Sequence, residues 1–338
     1  MNRTQTVRSG LICVLLMLTA TFLLMSCAGQ LPGTLIVKLY FAGADPDEQT
    51  AEDNVSLLLE TDPAIDGKDL YRSGPDGTVA LELVPAGVYE LRPALAPDDW
   101  ALTVTVPSNE TASHALPCPI ILHNFVLLND QFTTAFSDAD FRRGMATAID
   151  REYLAESLES GYEIASSFLP YTITTTTLGT ALNTYSYDPF LADTLTASFP
   201  GEDFTVETNE GSVARETAMA HVVADLSALS TAGAITGSAI DFGVLVNKVA
   251  SPTPTFEAAV LGISGGNDLS EYFEKLLILE TVTNVMPDFP GEDTVVQAVE
   301  DAIASGSRES YAIALASLNN ELIISAPMIP LYQSANGW

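Results

Sequence analysis

Residues 136–154, Phe-Ser-Asp-Ala-Asp-Phe-Arg-Arg-Gly-Met-Ala-Thr-Ala-Ile-Asp-Arg-Glu-Tyr-Leu, carry the signals of a capped amphipathic helix. Ser137 stands three residues before Asp140, a capping-box spacing, and Asp138 adds a carboxylate at the positive helix end. Phe141, Met145, Ala148, Ile149 and Leu154 then recur on one face, and Gly161 supplies a stop. The stretch predicts one helix from about 138 to 158. On this pattern alone Arg142, Arg143, Asp150 and Arg151 belong to a solvated face, where exposed ion pairs contribute only ~0–1 kcal/mol each.

The surrounding segment, 118–338, alternates helical and strand patterns. Met219, Val222, Leu226 and Leu229 line one helix; Val295, Val299, Ala302 and Ile303 line another, between Asp293 and Gly306. A third, beginning near Ser307, carries Tyr311, Leu315, Leu318 and Leu322. These stripes are core faces, and the short apolar runs at 125–128 and 258–263 suit buried strands, so an α/β unit with one mixed sheet is expected.

At this point the residues resemble the solute-binding proteins of ABC importers for oligopeptides, dipeptides and nickel. In that family an Asn-containing strand, matched here by Asn129, leads to a segment "PF-x-D-x-x-x-R-x-A-x-x-x-A-I-D-R", which Phe136, Asp138, Arg142, Ala148, Ile149, Asp150 and Arg151 resemble, with Ala135 replacing the Pro and Gly144 the first Ala. Further matches follow in the family's order. They are Gly161, Ala165 and Pro170; then Tyr185, Tyr187, Asp188, Pro189 and Ala192; then Ala326, Pro327, Ile329, Pro330, Leu331 and Tyr332. The likeness runs from about 120 to 332 and implies the second lobe of a two-lobed binding protein, without the usual first lobe. It also implies binding of a peptide or other small solute, and importer subunits or a chain supplying the absent lobe as partners. In peptide-binding members an Asp of a "G-W-x-x-D-Y-x-D-P" segment meets the peptide's amino group. Here Gly262 and Ile263 begin that segment and Gly266 replaces the Asp, which leaves Asn267 and Asp268 as the candidate ligand contacts. Helix capping ahead of Leu269 is the alternative role of Asp268.

From 34 to 117 the pattern changes to period two. Leu35, Val37 and Leu39; Val79, Leu81 and Leu83; and Leu102, Val104 and Val106 read as half-buried antiparallel strands, with turns at Asp76-Gly77 and Pro85-Ala86-Gly87. A small β-sandwich is expected, with acidic loops at 43–54 and 62–77. The run Asp76, Gly77, Leu83, Gly87, Tyr89, Leu91, Ala96, Pro97 and Trp100 resembles the prealbumin-like repeats of surface and adhesin stalks. An internal isopeptide bond through Lys38 is not expected, because Pro93 stands where that group has its assisting Glu.

Residues 1–26 read as a lipoprotein signal peptide: Arg3 and Arg8, an apolar run from 11 to 24, then Ser26 before Cys27. That run falls short of the ~20 residues a membrane span needs. Cys27 is the candidate lipidation site, with 27–33 as anchor and linker, placing the protein extracytoplasmically on a membrane. Of the other cysteines Cys13 lies in the signal, so Cys118 has no disulfide partner after processing and reads as a small core residue. The chain has 44 acidic against 13 basic side chains and a formal net charge of -31, a surface that repels nucleic acid. His114, His123 and His221 are scattered, with no zinc motif or phosphate loop, so neither catalysis nor a metal or cofactor is expected. The sequence therefore points to a lipid-anchored solute-binding protein linked to import, or alternatively to a surface or envelope scaffold.

Overall fold

The computed structural model describes residues 31–41, 56–96, 100–118, 121–131, 133–158, 161–251, 253–265 and 292–334. The signal segment, Cys27, the loop at 43–54, and Asn267 and Asp268 lie outside these residues.

The first seven strands are β1 (Gly33–Phe41), β2 (Leu58–Ile65), β3 (Lys68–Arg72), β4 (Thr78–Val84), β5 (Gly87–Pro93), β6 (Leu102–Val106) and β7 (Thr111–Cys118). They make two sheets, ordered β4-β1-β7 and β3-β2-β5-β6. Leu35, Val37, Leu39 and Leu116 from one sheet share a buried cluster with Leu59, Leu91, Val104 and Val106 from the other, so the unit is a sandwich. Cys118 is fully buried in this cluster, and burial pushes its thiol pKa up, which suits an inert packing residue.

Three expectations change. The sheets are not wholly antiparallel, since β1 pairs antiparallel with β4 but parallel with β7, from Thr34 opposite Thr111 to Phe41 opposite Cys118. Leu83 is 76% exposed, because the register shifts near Gly33 and Leu83 takes φ 58°, turning Val84 inward in its place. The stretch 62–77 is not all loop: Asp66 and Gly67, at φ 51° and 77°, connect β2 to β3. The charged ends of β3, Lys68 and Arg72, suit a sheet edge.

The remaining strands are β8 (Ile121–Leu128), β9 (Tyr162–Ile164), β10 (Glu202–Asn209), β11 (Ala232–Ile240), β12 (Ala258–Gly265) and β13 (Met328–Ser334). They form the expected single mixed sheet, in the order β11-β10-β12-β8-β13-β9. The principal helices are α1 (Ala139–Ala148), α2 (Arg151–Ser157), α3 (Pro189–Thr196), α4 (Val213–Ser227), α5 (Phe242–Val249), α6 (Glu292–Ser305) and α7 (Arg308–Ser325). Of the stripe expected on α4, Val222 and Leu226 are buried while Met219 and Leu229 are partly buried against the core, Leu229 just beyond the helix; the stripe at 311–322 in α7 is buried as its periodicity predicts, and Ser307 caps α7 through Ser310 N.

The helix expected over 138–158 is broken. Asp138, not Ser137, caps α1 by accepting from Phe141 N, while the Ser137 hydroxyl donates to Thr134 O. Ile149 and Asp150 are extended between the helices, and Asp150 starts α2 by accepting from Tyr153 N. A second N-cap inside the apolar stripe thus overrides its continuity. Gly144 permits α1 to approach α3: a Cβ there would lie 2.7 Å from Thr196 Cγ2 and 3.1 Å from Leu195 Cβ.

The two units are joined by more than the chain. Leu58, Leu70, Ala94 and Leu95 of the sandwich belong to the core cluster of the α/β unit. Glu60, 2% exposed, accepts from Arg92 Nε at 2.7 Å and from Arg308 Nε of α7 at 3.0 Å, and its other oxygen accepts from Leu95 N. Beside it Arg72 makes a bidentate pair with Glu300, and Gly306 O accepts from Asp69 N and Leu70 N.

Candidate functional site

The motif residues of the opening stretch are framework. Arg142 and Arg151 are buried, contrary to the solvated face expected of them, and their acceptors are main-chain carbonyls, some local and some, at Ser325, Ala326 and Pro330, 179 to 184 residues away. Arg142 donates to Phe136 O at 2.6 Å, Ser325 O at 2.6 Å and Ala326 O at 3.0 Å. Arg151 donates to Pro330 O at 2.7 Å, Ala146 O at 2.9 Å and Ala165 O at 3.1 Å. Desolvation lowers the Arg151 pKa to about 10, which still leaves it charged near neutrality. Its guanidinium lies 5.5 Å from the ring centroid of Tyr185, whose hydroxyl donates to Ile323 O. Asp188 caps α3 through Leu191 N, and its own amide donates to Thr147 O. Every cluster of the ordered motif therefore meets the others inside the unit, where they hold α1, α2, α3 and the α7–β13 junction together.

The surface available to a ligand lies elsewhere. β10 runs parallel to β11 and β12, while β8 is antiparallel to both β12 and β13, so β10, β11, β12 and β13 end on the same side. In open α/β sheets ligands bind outside the carboxyl ends of the strands. At this end Asn209 closes β10, Asn124 lies near the start of β8, and Gly262 of β12 pairs with Asn124. Arg215, in the first turn of α4, donates from Nε to Asn124 Oδ1 at 3.2 Å and from Nη1 to Asn209 Oδ1 at 2.9 Å. Its Nη2 occupies the space that a Cβ at Gly262 would enter, 2.6 Å from that position. The same rim carries Val213, 70% exposed, and Phe242, 57% exposed, at the starts of α4 and α5.

On the neighbouring ladder lie His123, next to Asn124 in β8, and Tyr332 of β13, which pairs with Asn124; both are buried. Desolvation lowers the His123 pKa to about 3, so its ring is neutral near pH 7. Burial pushes the Tyr332 phenol up, with a smaller opposing pull from the charge of Arg215, and its ring packs edge-on against Tyr162 at 5.3 Å. His221 is half-buried on α4 and stacks edge-on with Tyr153 at 5.0 Å, in keeping with a structural role. No group of three or more metal-ligating side chains occurs among the described residues. Nor is any helix among them long and apolar enough to cross a membrane.

Sequence reasoning missed Arg215, Asn124 and Asn209. The usable signal was the Asn209-Glu210-Gly211-Ser212 turn between a strand and a helix, with an arginine, Arg215, in the first turn of that helix in an acid-rich chain.

No protein-family model and no curated protein matches the chain. Solved structures do. The periplasmic oligopeptide-binding protein of an oligopeptide ABC transporter from Thermotoga maritima is similar over 65% of this chain and 46% of its own, at 16% identity and a TM-score of 0.51. The oligopeptide-binding protein AppA from Bacillus subtilis, solved with a nonapeptide, is similar over 64% of this chain and 47% of its own, at 17% identity and a TM-score of 0.53. A peptide-binding protein of a peptide ABC transporter is similar over 63% of this chain and 99% of its own, at 18% identity and a TM-score of 0.52. The chain spans less than half the length of the first two. At these identities the likeness establishes the fold: a mixed α/β unit of the kind found in the peptide-binding components of ABC transporters. All three of those proteins are named as binding components rather than enzymes.

Proposed function

We propose that this chain is a lipid-anchored, extracytoplasmic solute-binding protein associated with ABC-type import. A peptide or other small solute is its ligand. The observation that carries this reading is the fold shared with peptide-binding proteins over nearly two thirds of the chain. Two features support it: the strand-end rim bearing Arg215, and the Cys27 that follows the apolar leader. The test is thermal unfolding of the full chain in detergent against a panel of short peptides and nickel. A ligand at ~100 times its Kd stabilises by ~2.7 kcal/mol, so a binder gives a concentration-dependent rise in Tm. The reading fails if neither the protein nor its native complexes bind a peptide, nickel or any other small solute.

A second reading, a surface or envelope scaffold without transport, is favoured by one residue. Gly266 stands where the resembled peptide-binding family has the carboxylate that meets the peptide's amino group. Purification of native complexes separates the two: importer subunits support uptake, and surface proteins alone support the scaffold.

A further inference from the structure

Among its described residues the sandwich exposes three large apolar side chains: Leu31 at 60%, Leu83 at 76% and Val88 at 60%. Single exposed apolar residues are ordinary on a protein surface, so their placement decides whether they mean anything. All three lie at one end of the sandwich. Leu31 precedes β1, Gly33 of β1 pairs with Val84 at the end of β4, and Gly87 at the start of β5 pairs with Val106 at the end of β6. The turn after β6 comes back to Leu31, whose carbonyl accepts from Asn109 N at 3.3 Å and from the Ser108 hydroxyl at 3.0 Å. From there β7 leads away to Cys118 and the α/β unit.

This end is held in place. Those two bonds fix Leu31, and the Tyr89 hydroxyl donates to Pro85 O at 2.8 Å, which secures the link between β4 and β5. Leu83 takes φ 58°, a strained conformation for leucine, and its exposure means that it gains little packing in return. Strain without a packing reward suits a side chain whose contact lies outside the fold. Neither 80–91 nor 102–113 contains a lysine or arginine, and Glu82 and Glu110 are exposed beside the tip. A surface that meets this end therefore meets it through apolar contact and not through cationic attraction.

The length of the connecting chain identifies that surface. Leu31 lies four residues after Cys27, the candidate lipidation site, and an extended chain covers at most ~3.6 Å per residue, or ~14 Å here. We propose that the Leu31, Leu83 and Val88 end of the sandwich rests in the interfacial layer of the membrane, so that protein contact as well as the lipid holds the chain and sets its orientation. This rests on the lipid-anchored reading and adds to it a docking surface for the bilayer.

The experiment places the full, exported chain in phosphatidylcholine vesicles with one introduced cysteine at a time, labelled with a dye that reports its surroundings. The sites are Leu83→Cys, Val88→Cys and, for comparison, Phe190→Cys, since Phe190 is 85% exposed on α3 of the other unit. Cys118 is fully buried and does not compete for the dye. Mass spectrometry reads the acyl group on Cys27. Dyes at 83 and 88 are expected to shift to shorter emission wavelength and to be quenched by nitroxide-bearing lipids, while the dye at 190 stays at its wavelength in water. Leu83→Asn, which suits the positive φ better, is expected to keep or raise the urea midpoint. A clear drop in that midpoint would show that Leu83 serves the fold and overturn its part in the contact. An acylated protein whose dyes at 83 and 88 report water, as the one at 190 does, overturns the membrane contact and leaves the anchor standing. Absence of an acyl group on Cys27, with no flotation of the chain on the vesicles, overturns both and leaves solute binding untouched.

Discussion

Glu60 offers the sharpest test of how the two units are joined. Its carboxylate is 3% exposed and receives two arginines on one oxygen and a main-chain N–H on the other. Glu60→Gln keeps the shape, but the amide can satisfy Leu95 N only by turning its NH2 toward Arg92 and Arg308. Removing one partner of a buried ion pair costs ~3–5 kcal/mol. The two arginine side chains are 23% and 30% exposed, and water can reach them after the change. The expected destabilisation is therefore about 2–4 kcal/mol. Arg308→Gln removes only the contact across the interface and a bond to Thr177 O, and should lose about 1–2 kcal/mol. Because both changes remove the same pair, the double variant should fall short of their sum by ~1 kcal/mol or more. Urea unfolding supplies the assay, with Trp100 fluorescence for the sandwich and helical circular dichroism for the α/β unit. The wild type should show coincident transitions and Glu60→Gln separated ones. A loss below ~1 kcal/mol, or additivity within ~0.5 kcal/mol, would refute the idea that Glu60 fastens the two units together.

Three further outcomes are expected. The unfolded chain takes up a proton on His123 near pH 6.5, whereas the folded chain does so only near pH 3; the folded state therefore loses stability as pH falls through that window, by up to ~1.4 kcal/mol per unit. His123→Gln should flatten the wild-type slope by that amount, and parallel slopes would contradict it. Gly144→Ala should destabilise by ~1–3 kcal/mol through the α1–α3 contact, and an unchanged urea midpoint would show that the helices part without strain. Arg151→Lys should lose about 2 kcal/mol or more, because one ammonium cannot serve the carbonyls of Pro330, Ala146 and Ala165 together; an equally stable variant would show the fork to be dispensable.

What could be read in advance was local. The stripes of α4, α6 and α7, the stop at Gly306, and the strands β8 and β12 follow from periodicity and capping within windows of about fifteen residues. The break between α1 and α2 was also local but ambiguous: Asp150 is an adequate helix residue and a better N-cap, and burial of Ile149 decided between them. The burial of Arg142 and Arg151 was not accessible to spacing, since their carbonyl partners lie as far as 184 and 179 residues away. The same holds for the parallel register of β1 and β7 and for the convergence of Arg215, Asn124 and Asn209, which meet only when the strand order is known. The strand-ladder region of the candidate site was therefore invisible, while the motif that was visible turned out to be scaffolding. Asn267 and Asp268 remain expectations that rest on resemblance.

The parallel pairing of β1 with β7 has a mechanical meaning. β1 begins the described chain on the side of the proposed lipid anchor, and β7 leads through two residues into β8 and the α/β unit. Tension between a membrane and that unit would pull on the starting end of β1 and on the finishing end of β7. In a parallel pair these are opposite ends, so the load falls as shear along the whole register from Thr34 to Phe41, with its hydrogen bonds sharing the force. A hairpin in the same place would open one bond at a time. The sandwich is thus wired as a tether whose grip is spread over eight residue pairs.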